Sequence, residues 1–246
     1  MATRVHYERE SPDSPLASIR LDDGKANAMQ AEFFSELHCA LDRAEAEPVS
    51  AVILSGRPGF FSGGLDLKVL PELGPTELRE VTTAFAEAMH RVFLFPKPIV
   101  AAAAGHAIAG GMMLYLAADV RIAVDLPEPR YGLNEATTGI PLLGGTAGLC
   151  QSAIPRQHHT ELILHGRLLD AAAIQTRGII HELVKSPDLL LQRARARAEA
   201  LGDLDLPAYR LNKRIVRGPY WEDATRAAAA LADEAPTENV FGRIRR

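Results

Sequence analysis

"KPIVAAAAGHAIAGGMMLYLAADVRIA", residues 97–123, holds one strand–helix–strand unit. The Ala-rich run opened by Ile99 and Val100 reads as a strand over 98–105. Glycines at 110 and 111 then lead into an apolar helix through Met112, Met113 and Leu116, and "DVRIAV" (119–124) reads as the next strand. Two strands joined through a crossover helix lie parallel, so this stretch predicts an α/β fold. The glycine turn also opens a helix N-terminus, where unpaired amides and the positive end of the helix dipole suit a group that is or becomes negative. Close packing of helix on strand, which glycine also permits, accounts for the same residues.

The pattern continues on both sides. "ASIRLD" (17–22) and "AVILSG" (51–56) read as strands. Residues 30–46 carry Phe33, Phe34, Leu37 and Leu41 at helical spacing, and residues 77–93 do the same with Leu78, Val81, Phe85, Met89 and Val92. After residue 145 strand-like runs nearly vanish, and segments 158–165, 170–178, 187–201, 206–216 and 220–233 read as helices. The expectation is an α/β core over 1–190 followed by a helical C-terminal region over 191–246.

Composition narrows the function classes. At 47% hydrophobic residues and 24% charged, the 246-residue chain can bury a large core. Its net charge of −4, with the basic residues dispersed, excludes an electrostatic nucleic-acid surface, and the closing "RIRR" is too short to change that. Cys39 and Cys150 read as two buried, reduced thiols with no disulfide framework. The polar start "MATRVHYERE" lacks a secretory h-region, and the longest apolar run is broken by glycine, which predicts a cytoplasmic protein with no membrane partner.

A second glycine turn lies in "GFFSGGLDLK" (59–68), where Gly63 and Gly64 follow the strand at 51–56. It lacks the spacing of a P-loop or a dinucleotide fingerprint. A plain loop fits it as well as a ligand turn does. Two such turns with backbone N–H groups aimed at one point would form an oxyanion hole. The third candidate is Glu135 in "YGLNEATTGIPLLGG" (131–145), with no other Asp, Glu, Lys or Arg between Arg130 and Arg156. Set among Leu133, Ile140, Leu142 and Leu143, this carboxylate would lose hydration, which raises its pKa and improves it as a base near neutral pH. A tie to Arg130, or to backbone amides at a helix start after Asn134, is the structural alternative. His106 reads as a donor to a nearby carbonyl, with no Ser or Cys placed to make a nucleophile pair. The pair His158 and His159 lacks a metal-ligand partner at i+4, and Glu161 with His165 reads as a surface pairing.

Several of these motifs in the same order resemble the crotonase, or enoyl-CoA hydratase/isomerase, superfamily: "DDGKANAM" (22–29), "GFFSGGLDLK", "KPIVAAAAGHAIAGG", "AAD" (117–119), "YGLNEATTGI" and "IPLLGGTAGL" (140–149). The match runs from about Ala17 to Val184. The resemblance implies a spiral of βαβ units, a helical trimerisation region giving a homotrimer or dimer of trimers, and an acyl-CoA thioester held across the two turns. No metal and no redox cofactor are implied, coenzyme A being part of the substrate. The thioester oxygen would take the N–H groups of Leu65 and Gly110, with Gly63, Gly64 and Gly111 shaping the turns. Lys25, Ala26 and Asp66 fall where the family holds the CoA adenine and phosphates, and Met113 and Leu133 fall on the acyl side. Hydratases of this family use two glutamates. Here one of those positions is Met113, and the other is Glu135 in a "GLNE" context similar to Δ3,Δ2-enoyl-CoA isomerases. The resemblance therefore implies an isomerase that moves a proton from C2 to C4 through a dienolate. Hydration, retro-aldol cleavage, thioester hydrolysis and non-catalytic acyl-CoA binding are the alternatives.

Overall fold

The computed structural model describes residues 3–9, 11–142 and 144–231. Leu143, the last residues of the helix expected over 220–233, and "RIRR" lie outside the described residues. Among the described residues eleven strands run in chain order: β1 Val5–Glu8, β2 Leu16–Leu21, β3 Ala28–Met29, β4 Ala51–Ser55, β5 Gly59–Ser62, β6 Gly64–Leu65, β7 Ile99–Ala103, β8 Gly105–Ile108, β9 Val120–Val124, β10 Tyr131–Gly132 and β11 Glu182–Val184. The α-helices are α1 Ala31–Ala46, α2 Pro75–Phe93, α3 Gly110–Ala117, α4 Glu135–Thr138, α5 Gly145–Ala153, α6 Ala171–Thr176, α7 Pro187–Gly202 and α8 Leu206–Ala230. The main sheet has the order β1-β2-β4-β7-β9-β11, antiparallel at the β1–β2 edge and parallel elsewhere.

Its central strands are buried along their whole length, as parallel strands covered on both faces must be. Alternate residues divide between the faces. Val52, Leu54, Ile99, Ala101 and Ala103 join the core formed with α1, α2 and α3, whereas Ala51, Ile53, Val100, Ala102 and Ile122 pack with Leu190, Ala194 and Ala198 of α7. The small residues of β7 let these helices approach the sheet closely. Residue 190, where the two expected regions meet, thus lies inside a helix that covers the sheet. A smaller parallel sheet, β10-β8-β5, and the two-stranded pair β3-β6 stand beside the main one and carry the loops that matter below.

Several expectations need correction. Cys39 is exposed, on the outward side of α1, while Cys150 is buried. The helices expected over 206–216 and 220–233 form one helix, α8, with Pro219 inside it. Proline removes a helix hydrogen bond, but here tertiary packing overrides it. A Cβ built on Gly148 of α5 would fall 1.9 Å from the Tyr220 carbonyl oxygen, and one on Gly145 would fall 2.1 Å from the Trp221 ring, so α5 supports α8 across the proline. Segment 158–165 forms a 3-10 turn (Arg156–His158) and a π-helix (Thr160–Leu164) instead of an α-helix. β11 adds a strand to the main sheet in a part of the chain read as almost wholly helical.

Candidate active site

Parallel pairing of β5 with β8 brings both glycine turns to the same end of the small sheet. Gly64, at φ +84, lies so close to the second turn that a Cβ would meet the Gly110 nitrogen at 2.9 Å and the Ile108 carbonyl oxygen at 3.0 Å. One on Gly111 would lie 2.1 Å from the Ser62 carbonyl oxygen. Only hydrogen fits at these positions. Ala109, the N-cap of α3, is held at φ 51 and ψ −126, a conformation that costs an L-residue about 1–3 kcal/mol. Gly110 follows as the first residue of α3, so its N–H has no acceptor within the helix.

Two polar residues that sequence reasoning passed over hold the first turn in place. Buried Asn27 donates through Nδ2 to the carbonyls of Leu21, Phe60 and Phe61, while its own carbonyl accepts from Ser62 Oγ at 2.7 Å. Ser62 Oγ in turn accepts from Gly64 N at 3.1 Å. The available signal was an Asn and a Ser, both able to bond backbone, next to a Gly-Gly turn.

Glu135 arrives from the third strand of the small sheet. β10 pairs with β8, and Ala109 N donates to the Gly132 carbonyl at 2.9 Å, which sets the next loop against the second turn. Glu135 is 7% exposed, and its Oε2 is buried with no hydrogen-bond partner. Burial pushes its pKa up from 4.5 to about 7. Arg130 does not neutralise it, because that guanidinium donates to the carbonyls of Pro127, Glu128 and Pro129. Beneath it, burial and then the Glu135 charge hold the Cys150 thiol well above its ordinary range. A cavity of about 70 Å³ joins Glu135 to Gly63, Leu65 and Gly110, with Phe85 and Met113 among its apolar walls. An acid of raised pKa thus faces two backbone turns across an apolar space, an arrangement suited to moving a proton beside a carbonyl.

A family model described as enoyl-CoA hydratase/isomerase matches residues 12–235. The chain belongs to the enoyl-CoA hydratase/isomerase family. A putative enoyl-CoA hydratase of Thermus thermophilus is 34% identical over 215 residues, 85% of this chain and 83% of that protein. Among solved structures, human mitochondrial Δ3,Δ2-enoyl-CoA isomerase superposes with a TM-score of 0.86 at 26% identity, covering 99% of this chain and 93% of that one. The apo enoyl-CoA isomerase of Mycobacterium tuberculosis gives a TM-score of 0.84 at 26% identity, with 96% of this chain and all of that one covered. The spiral α/β architecture of the family is the fold described above.

The family resemblance pointed to more residues than the cavity holds. Gly63, Leu65, Gly110, Met113 and Glu135 line it, with Gly64 pressed behind the second turn. Gly111 packs against Ser62, and Leu133 is buried in the core. Ala26 accepts from Gly63 N at 2.9 Å. Lys25 is exposed, its carbonyl taken by Arg57 Nη1 at 2.6 Å, and Asp66 accepts from Gln30 Nε2 at 2.6 Å. His106 is an acceptor, contrary to expectation: its Nδ1 takes the Arg130 N–H at 3.0 Å. Glu161 pairs with Arg167 and Arg177 instead of His165. Among the described residues no group of three or more His, Cys, Asp or Glu could hold a metal ion, and no helix is long and apolar enough to cross a membrane.

Proposed function

We propose that this family member is an acyl-CoA enzyme whose main reaction is Δ3,Δ2-enoyl-CoA isomerisation. The observation that carries this reading is one buried carboxyl, Glu135, facing a thioether, Met113, which is 3% exposed in the cavity wall. A thioether cannot transfer a proton. The resemblance puts at 113 one of the two glutamates that hydratases of the family use, so the proton traffic falls to Glu135.

In this scheme the thioester oxygen accepts from the N–H groups of Leu65 and Gly110, which acidifies C2. Glu135, ionised in part near pH 7, removes a C2 proton from a 3-enoyl-CoA, and the negative charge moves to the thioester oxygen. The neutral carboxyl then returns its proton at C4, leaving the 2-enoyl thioester. One acid suffices, because taking the proton prepares it to give the proton back. Lys25, Ala26 and Asp66 lie on the CoA side of the site. Exposed Leu211, Ile215, Val216 and Tyr220 on α8 form an apolar surface that supports assembly into a trimer.

The test is conversion of 3-enoyl-CoA to 2-enoyl-CoA together with deuterium exchange at C2 in heavy water. Glu135→Gln is expected to lower both by at least about a hundredfold while still binding acyl-CoA. Full activity in that variant would remove Glu135 as the base.

A further inference from the structure

The cavity that holds Glu135 has an open rim and a closed floor. Leu67 and Pro141 at the rim are exposed, whereas Phe85 and Met113 are buried in the main hydrophobic core. Phe85 projects from the face of α2 that also carries Val81, Met89 and Val92, all buried. Its ring meets the buried ring of Phe34, on α1, edge-on, with centroids 6.0 Å apart. On its other side it touches the second glycine turn, where a Cβ built on Gly110 would fall 2.8 Å from Phe85 Cε2. The ring is therefore wedged between α1 and the turn that carries the Gly110 N–H. Swinging it aside would force it into a packed core, which is unfavourable. A water-sized group needs about 10–15 Å³, so a cavity of about 70 Å³ takes about five to seven such groups. Counting the carbons and the carbonyl oxygen, that is an acyl group of about four to six carbons.

We propose that Phe85 sets the length of the acyl chain, closing the floor of the cavity so that the site takes thioesters of about four to six carbons and turns longer chains away. This rests on the reading of the cavity as an acyl-CoA site, and adds to it a substrate class and the side chain that selects it. Phe85 moves no proton. It acts by occupying the space that further methylenes need. A methylene that leaves water for an apolar wall raises affinity about fourfold. One that meets the ring must stay in water or displace packed side chains, and gains nothing. The selection is therefore a ceiling: affinity climbs with each carbon until the floor is reached, and then drops.

The test is calorimetric binding of saturated butanoyl-, hexanoyl- and decanoyl-CoA, which reads the pocket apart from the chemistry. In the wild-type protein hexanoyl-CoA is expected to bind more tightly than butanoyl-CoA, and decanoyl-CoA about tenfold more weakly than hexanoyl-CoA. Phe85→Ala removes the ring, and is expected to raise decanoyl-CoA to at least the affinity of hexanoyl-CoA. Phe85→Leu keeps an apolar side chain in the core and is expected to shift the ranking the same way by a smaller factor, so it decides the matter if thermal melting shows the Ala variant unfolded. Phe34→Leu alters the core behind the ring without lining the cavity, and is expected to keep the wild-type ranking. Decanoyl-CoA bound by the wild-type protein as tightly as hexanoyl-CoA would overturn the proposal. So would the wild-type ranking in folded Phe85→Leu, or an equal shift in Phe34→Leu. The expected ranking in a protein that fails to isomerise 3-hexenoyl-CoA would support the ceiling while removing isomerisation as the main reaction. No binding of any of the three would remove the acyl-CoA reading, and the proposal with it.

Discussion

Replacing Glu135 by glutamine is expected to stabilise the protein at alkaline pH and to change its stability little near pH 4.5. The carboxyl titrates near 4.5 when hydrated and near 7 in the fold because burial disfavours its charge. Between those values the folded state binds more protons than the unfolded chain, so stability falls as pH rises, and above about 7 the loss is complete. Moving the titration from 4.5 to about 7 makes the ionised folded state costlier by about 3 kcal/mol, at 1.36 kcal/mol for each tenfold change in proton affinity. Glutamine has nearly the same shape and no charge to bury, so it escapes this penalty. For a chain of this length the difference corresponds to a melting temperature higher by about 6–12 °C above pH 8. The assay is thermal or urea unfolding of both proteins at several values from pH 4.5 to 8.5. Other titrating groups are shared, so the difference between the curves isolates Glu135. A difference that stays constant with pH, or shrinks as pH rises, would refute the burial argument.

Activity should show the same titration from the other side. Because the base must be ionised, kcat/KM is expected to rise through about pH 7, and Met113→Glu should move that midpoint upward by about a unit or more, since two carboxylates in one cavity resist double ionisation. A midpoint unchanged in the variant would mean that residues 113 and 135 do not share a field. The clamp that fastens α8 to the core gives a prediction about stability alone. Asp119 accepts from Ile99 N at 2.7 Å and Lys213 Nζ at 2.8 Å and pairs with Arg217 at 3.2 Å, while burial pushes the Lys213 pKa down to about 8. Asp119→Asn leaves the buried Lys213 cation without its counter-charge and the half-buried Arg217 with only the carbonyls of Phe93, Ala117 and Ala118, and is expected to cost about 3–5 kcal/mol in urea unfolding, where a change below about 1 kcal/mol would refute the clamp.

Local pattern was enough for much of this protein. Short apolar runs rich in β-branched or small residues placed β2, β4, β7 and β9, and helical spacing placed α1 and α2, to within a few residues, because each signal can be read within one segment. The two glycine turns and the isolated acid at 135 were also visible, since each is a departure from its immediate neighbours. The short strands β3, β6, β8 and β10 were not visible, having too few residues to show a period, yet they bring the three loops together. The exposure of Cys39 and the continuity of α8 through Pro219 depended on partners distant in the chain. Local propensity could not report them.

What the amino-acid order determined by itself was the α/β class, the turns able to expose backbone amides, and one carboxyl in an apolar run. Tertiary structure alone decided that Gly64 meets Gly110, that among the described residues no cation pairs with Glu135, that Met113 faces it, and that Asn134 leaves its N-cap bond unmade. The physical reason is range. Backbone preference and periodicity act over a few residues, whereas desolvation and hydrogen-bond satisfaction depend on whichever distant segments close around a group.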